Sequence, residues 1–475
     1  MHRTFRSCRR GARLLILLAM AAMAYGCTDS RPLRALRIAS GSTSMTLCTA
    51  AFVSGFDPDH AYRLEVEPAP GMAWVDWALK YTVDRNRQEV RSSIGGVFGT
   101  RALYRHSLGC VLALRSVPTE GWKSSGATPT PSDPFPVLAS ENTITAESLP
   151  LRAAIDAAFV ETDEPARNTL AVVVVQHGHL LGERYSVGVG PTTPLPGHSL
   201  SKSFTHALVG VLARRGRIDA DAPLSLPGWP ASDDQRRRIT ANHLLAMDSG
   251  LPWDEYHGGF DPATRMWFDE ADPYGYAAKM PLAYPPGTHW GYSNLGYAVL
   301  SRLVRDRTGG TAATTAEWIQ QELLDPMHMQ HTVVTFDATG TPMGANGVVA
   351  SARDWARLGL LYLNGGKLNG GTLLPAGWVD QARIPTLDAG YGRGFWLNNT
   401  HAAHPLPGHW GMPGAPAETY FGRGYLGQFV VIVPSADLVI VRLGISYRPG
   451  GDIATVGRLV GDVVAASTPR SATYK

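Results

Sequence analysis

The period of the apolar positions divides this chain of 475 residues into stretches of different character. Between residues 31 and 115, short β-prone runs (62–66, 78–83, 97–104 and 110–114) alternate with Gly, Pro and Asp turns, which predicts a small β-rich module. The pattern then lapses. Pro118, Pro129, Pro131, Pro134 and Pro136 lie among Ser, Thr and Gly, so 116–148 reads as an extended, weakly packed linker. A second, larger domain, 149–466, opens with Leu151, Ala154, Ile155 and Ala158 on one helical face. Residues 169–175 form a β-branched run that turns at His177-Gly178 and returns over 180–185. Phe204, Leu208, Val209 and Leu212 mark a helix, Thr240 caps another at 239–245, and 352–363 is amphipathic and ends at Gly365-Gly366. Runs 428–433 and 438–443 flank a turn at 434–437, and 453–465 closes the chain as a helix. Strands at both ends with helices between them predict an α+β domain. Its antiparallel sheet is assembled from both ends, flanked by helices and interrupted by a mostly helical inset.

Composition changes this picture mainly at the N-terminus. The chain is 44% hydrophobic and 17% charged, with a net charge of +3 and mixed signs; that is globular, and no basic stripe argues for nucleic acid. Residues 1–27 read as an export signal: Arg3, Arg6, Arg9, Arg10 and Arg13 precede an apolar run over 14–22 too short to span a bilayer comfortably. Two endings fit. Ala22-Met23-Ala24 is a small-x-small cleavage site, and Ala24-Tyr25-Gly26-Cys27 is a loose lipoprotein box that would lipidate Cys27 and attach the chain to a membrane. The expected location is the bacterial periplasm, free or as a membrane-anchored lipoprotein. Of the four cysteines, Cys8 falls in the signal and Cys27 at its end, leaving Cys48 and Cys110. In an oxidising compartment these two are expected to form a disulfide closing most of 31–115; two buried free thiols are the alternative. That module shows no catalytic set, and its partner is not legible.

The chemistry begins at Ser199-Leu200-Ser201-Lys202, after a loop rich in Pro and Thr. Lysine is scarce (Lys80, Lys123, Lys202, Lys279, Lys367, Lys475), and only Lys202 has a serine three residues before it. At a helix start this spacing puts both side chains on one face. A desolvated amine that has lost its proton can then act as base to the serine, and the free N–H groups of the first turn face a developing oxyanion. The plain alternative is a capping serine and a solvated lysine. A second constellation, Pro285-Pro286-Gly287 followed by Tyr292-Ser293-Asn294, places a tyrosine at a turn before a helix. Beside an ammonium its phenol is expected to titrate low enough for a phenolate to serve as base or shuttle, and Asn294 offers an amide to a substrate carbonyl. As an isolated pattern, a packed Tyr and a capping Asn would explain it.

Together, Ser-x-x-Lys and the later Pro-Gly-Thr-x-x-x-Tyr-Ser-Asn-x-Gly-Tyr resemble the β-lactamase-related serine hydrolases, which include class C β-lactamases, penicillin-binding proteins and related esterases. The likeness covers 149–466 and is greatest to the 6-aminohexanoate-dimer hydrolase branch. Supporting stretches lie in order at 178–185, 239–251, 351–363 and 427–444. The resemblance implies the β-lactamase/transpeptidase-like fold, no metal and no cofactor. It implies Ser199 as the acylated nucleophile, Lys202 as its base and Tyr292 as handler of the leaving-group proton. It also places a Lys-Thr-Gly or His-x-Gly motif at Tyr425-Leu426-Gly427. Gly427 would let the substrate backbone approach, and Gln428 would add an oxyanion N–H beside that of Ser199. Tyr425 departs from the family's Lys or His, which argues against strong carboxylate binding. Arg423 is expected to be structural or solvated.

His198 and His206 flank the motif and are expected to be packed or capping. His401, His404 and His409 lack metal-ligand spacing. Trp253-Asp254-Glu255-Tyr256 reads equally as cleft rim or surface loop. The function that follows is an exported serine hydrolase acting on a small-molecule amide or ester through an acyl-enzyme. A penicillin-binding-like D-Ala peptidase or β-lactamase is the rival enzyme, and a non-catalytic receptor on the same fold is the rival of another class.

Overall fold

The structure, a computed structural model, describes residues 31–114, 145–146, 148–161, 165–229, 234–255, 260–368, 371–398 and 411–467. The signal segment with Cys27, nearly all of the linker, Tyr256, and His401, His404 and His409 lie outside the described residues.

The N-terminal unit has the sheet that the β-prone runs predict, but it starts with a long helix that they do not. Helix α1 (Arg31–Thr49) lies on a four-stranded antiparallel sheet of β1 (Leu79–Asp84), β2 (Glu89–Ile94), β3 (Thr100–Arg105) and β4 (Gly109–Leu112). The helix hides from periodicity because it buries hydroxyls. Ser40 and Ser44, one turn apart, hydrogen-bond the Ser92 hydroxyl at 2.9 and 2.8 Å, and Ser40 also meets Thr100 at 2.9 Å. Ser92 sits in the middle of β2, which explains why that strand also escapes an apolar count. The run 62–66 is a correction: it is a helical turn, continuous with Pro58–Ala61. Asp57 caps that turn, accepting from the His60 N–H at 2.9 Å, and Pro58 occupies the first helical position, where its fixed φ suits a helix. Cys48, near the end of α1, and Cys110 on β4 form the expected disulfide.

The last linker residues already belong to the larger domain. Thr145–Ala146 is an edge strand, β5, and Ser148 caps helix α2 (Leu149–Ala157). Strands β6 (Thr169–Gln176) and β7 (His179–Tyr185) come from the start of the domain. Strands β8 (Trp396–Leu397), β9 (Tyr420–Gly424), β10 (Gln428–Val433) and β11 (Leu438–Gly444) come from its end. They form one antiparallel sheet in the order β8-β9-β10-β11-β6-β7-β5. The join between the two ends is β6 on β11, where Val172 to Val175 and Val439 to Val441 are fully buried.

Helices α3 (Ser201–Arg214) and α4 (Asn294–Arg307) pack on each other, and α5 (Ala352–Leu363) lies across β6, β10 and β11. The closing helix α6 (Ile453–Ala466) packs on α2. Between α5 and β7, Arg353 pairs with the fully buried Glu183 at 2.6 Å, and Tyr185 donates to the same carboxylate at 2.8 Å. The N-terminal unit is fastened to this domain by Arg37 on Asp269 (2.9 Å), by Arg105 on the Phe336 carbonyl, and by the Tyr447 hydroxyl on the Glu65 carbonyl (2.5 Å).

Candidate active site

The Ser199 turn is built between two glycine contacts. A Cβ on Gly197 would lie 2.2 Å from the Trp355 ring, and one on Gly424 would lie 2.1 Å from the Gly197 carbonyl. Strand β9 therefore presses directly on the turn that carries Ser199, which only glycine at both places permits. His198 precedes the serine at φ 46°, a left-handed conformation that costs an L-residue roughly 1–2 kcal/mol. One short 3-10 turn, His198–Leu200, then feeds α3.

Lys202, on the first turn of α3, is buried and makes three contacts. Its Nζ lies 3.0 Å from Ser199 Oγ, 2.7 Å from Asn294 Oδ1 and 3.1 Å from the Ala345 carbonyl. The carbonyls of Asn294 and Ala345 can only accept, so a neutral amine keeps its two N–H groups on them and its lone pair faces the Ser199 hydroxyl. The orientation of Asn294 is itself fixed, because its Nδ2 donates to Asp254 Oδ1 at 3.2 Å. Asp254, fully buried, also accepts from the Leu295 N–H at 2.7 Å and from Ser293 Oγ at 3.3 Å. Burial pulls Lys202 down from its usual range to about 8, against the opposing pull of Glu255 and Asp254.

Tyr292 completes the cluster, with one part of its expectation overturned. Its phenol interacts with the Ser199 side chain, its ring stacks on Trp396 at 5.6 Å, and Lys202 Nζ stands 4.8 Å from the ring centroid. Desolvation, followed by the charge of Glu255, pushes its phenol well above the ordinary tyrosine range. Tyr292 is thus a neutral phenol, a proton donor, and not the phenolate expected from the nearby amine. Burial outweighs the neighbouring charge.

The third motif is arranged differently from expectation. Tyr425, Leu426 and Gly427 form the turn between β9 and β10, with Leu426 and Gly427 at positive φ, and Gly424 pairs with Gln428. Gly427 packs on the Arg442 guanidinium and the Gly451 carbonyl, not on the nucleophile. The Gln428 side chain donates to the Tyr425 and Gly444 carbonyls and accepts from the Gly444 N–H, so it holds the hairpin together. Neither residue lines the cavity onto which Ser199 opens, whereas Tyr425 does. Burial first, then the Glu65 and Glu255 charges, push the Tyr425 phenol up to about 12, so it supplies no cation. Arg423, expected to be structural or solvated, is largely buried, and burial lowers it to about 10 against the opposing pull of Glu255.

His206 is packed as expected: buried, Nδ1 2.6 Å from the Tyr362 hydroxyl, and its pKa driven down to about 3 by burial. His198 lines the cavity, edge-on to Tyr425, with Nε2 3.7 Å from Glu65; burial lowers its pKa to about 4. Two groups at the site had no catalytic signal in the sequence. Glu65 comes from the N-terminal unit, distant in sequence, and burial lifts its carboxyl to about 7. Asp254 carried only a rim-or-loop reading, which did not reveal that its side chain turns inward beneath Asn294. The cavity itself, ≈ 560 Å³, lies between the N-terminal unit and the larger domain, with Ser199 and Asn294 in its lining.

Comparison with known proteins identifies the family of the larger domain. Residues 155–462 match the Beta-lactamase family model. The 6-aminohexanoate-dimer hydrolase of Paenarthrobacter ureafaciens is 27% identical over 299 residues, which is 58% of this chain and 72% of that one. A penicillin-binding protein homologue from Caulobacter crescentus superposes with a TM-score of 0.51 at 16% identity, over 67% of this chain and 96% of the other. A hydrolase with promiscuous acyltransferase activity does so at 0.52 and 16%, over 66% and 97%. These last two are likenesses of fold. The matched span carries the whole sheet except its edge strand β5, together with Ser199, Lys202 and Tyr292, and leaves the N-terminal unit outside; the chain belongs to the β-lactamase family and is a β-lactamase-related serine hydrolase.

Proposed function

We propose that the protein cleaves an amide or ester of a small molecule through an acyl-enzyme on Ser199. The observation that carries this reading is the approach of Lys202 Nζ to Ser199 Oγ at 3.0 Å, with its other two neighbours both acceptors. Lys202, neutral, takes the hydroxyl proton as Oγ attacks the carbonyl carbon. Tyr292, a neutral phenol beside Ser199, delivers a proton to the departing nitrogen or oxygen and is recharged from Lys202. Water then attacks the acyl-enzyme by the reverse route. The oxyanion is assigned to the N–H groups of Ser199 and Tyr425, since β9 is pressed against the nucleophile turn at Gly424 and Tyr425 follows it on the cavity wall. Export through the N-terminal signal belongs to the same reading, and the disulfide is consistent with an oxidising compartment.

Penicillin-binding or β-lactamase action is disfavoured by Tyr425, a neutral phenol, and by the three carboxyl residues, Glu65, Glu255 and Asp261, in the cavity lining. Incubation with a fluorophosphonate and, separately, a fluorescent penicillin, followed by mass mapping, tests both points. Labelling of Ser199 by the first alone is the expected result. Labelling by the penicillin promotes the peptidase reading. No label from either, together with no turnover of p-nitrophenyl acetate, overturns the acyl-enzyme.

A further inference from the structure

The cavity is not enclosed by the hydrolase domain alone. Helix α1 contributes Ala35, Leu36, Ala39 and Ser42 to its lining, and the segment after the helical turn at 62–66 contributes Met72 and Trp74. Ser199 and Asn294 belong to the larger domain, and Trp267 and Phe268 from that domain join the lining. This outer wall is fixed in place. Arg34 and Arg37 both pair with Asp269, next to Phe268, at 3.5 and 2.9 Å. Gly41 of α1 packs so closely on Phe268 that a Cβ would lie 3.1 Å from its carbonyl oxygen. The disulfide ties the end of α1 to β4.

Two properties of this space select a ligand. Its volume, ≈ 560 Å³, is that of a site for a molecule of many heavy atoms; an acetyl group would leave most of it empty. Its charged lining residues among the described residues are all acids, Glu65, Glu255 and Asp261, with no Lys or Arg. Trp74 and Phe260, both at least half exposed, add apolar surface to the lining, the kind of exposed patch that marks a binding surface.

We propose that the N-terminal unit is a working part of the active site: α1 and the 65–75 segment form the wall of the substrate cavity, and the substrate carries a bulky, apolar, non-anionic group that lies against them. This rests on the acyl-enzyme reading and names its substrate class. Substrates lacking the group lose the contact, and those carrying a carboxylate there meet Glu65 and Glu255.

The test uses the full chain and two ester series. In one, the acyl group of p-nitrophenyl esters runs from acetate through butyrate to octanoate. In the other, the alcohol of an acetate runs from ethyl to octyl and 2-naphthyl. In at least one series kcat/KM should rise roughly tenfold or more with apolar size, as burial of each added methylene favours the transition state. A half-ester ending in a carboxylate should be at least about tenfold poorer than its neutral isostere, since a buried unpaired charge is disfavoured. Ala35→Phe and, independently, Ser42→Phe, which fill the cavity from α1, should cut the ratio of long-chain to acetate turnover by about tenfold or more. Because this is a ratio within one protein sample, a partly folded variant does not mimic it. A flat profile in both series, or a rising one whose ratio neither filling variant changes, overturns the proposal while acetate turnover and fluorophosphonate labelling of Ser199 still uphold the hydrolase. Absence of labelling overturns the hydrolase reading and this one with it.

Discussion

Asp254 holds Asn294. The carboxylate accepts the Asn294 amide N–H at 3.2 Å, and the carbonyl at the other end of the same amide accepts from Lys202 at 2.7 Å. Asp254 is a positioning residue, acting on the base through one side chain. D254A should lower kcat/KM by roughly 10–100-fold, as a misplaced catalytic group does. D254N keeps an acceptor for Asn294 but removes a charge that raises Lys202, so the acid limb of its kcat/KM profile should move to lower pH. A merely structural role would leave that limb where it is. Steady-state rates across pH on a p-nitrophenyl ester decide the matter.

Lys202 sets the pH dependence of the wild type. The base must be neutral, and burial lowers Lys202 to about 8. kcat/KM should therefore climb as pH rises through about 8 and level off above it, since this profile reports the free enzyme's essential groups. Lys202→Arg, which cannot lose its proton in this range, should lose about 10²–10⁴-fold and show no such limb. The same lowering acts on stability. Between about 8 and the ordinary lysine range the unfolded chain holds the proton that the folded one has lost, so this group stabilises the fold increasingly as pH rises.

Tyr292 as a neutral donor makes a prediction that separates amides from activated esters. A p-nitrophenolate leaves without a proton, whereas an amine cannot. Tyr292→Phe should reduce hydrolysis of an amide by about 10²–10⁴-fold and that of the matching p-nitrophenyl ester by clearly less. Equal losses on the two substrates would assign Tyr292 to acylation chemistry other than leaving-group protonation.

Glu183 and Arg353 tie β7 to α5 away from the nucleophile, at 2.6 Å and almost wholly buried. Removing one partner strands a charge. Glu183→Ala should cost about 3–5 kcal/mol in urea unfolding, whereas replacing both residues by apolar ones of similar volume should come out near neutral.

The assembly of the sheet from both ends of the domain and the nucleophile were legible because local chemistry carried them: a β-branched run at 169–175, its counterparts at 428–443, and Ser199 with Lys202 one helical turn apart. Helix α1 was not, because it buries Ser40 and Ser44 where a helix normally buries leucine, and hydroxyl-to-hydroxyl bonding leaves no apolar period. The run 62–66 misled because five alternating residues suit either a strand or a helical turn; the Asp57-Pro58 cap before it was the better signal. Gly427 and Gln428 were drawn to the site by motif alone. The fold gives that hairpin end to Arg442 and Gly444, and gives the nucleophile to Gly424, whose importance is a backbone approach that no sequence pattern displays. Glu65 and the cavity wall were beyond reach, since they depend on how two units dock.

The pairing of β6 with β11 also bears on how the chain is made. Thr169–Gln176 carries consecutive valines from Val172 to Val175 and lies buried in the interior of the finished sheet, and its neighbour Leu438–Gly444 leaves the ribosome far later. Until then one edge of β6 presents unpaired amides and carbonyls on a strongly β-prone segment, a template for pairing with other chains. A chain stopped before Leu438 would accordingly be prone to aggregate, and intact production depends on that edge being shielded until synthesis is almost complete.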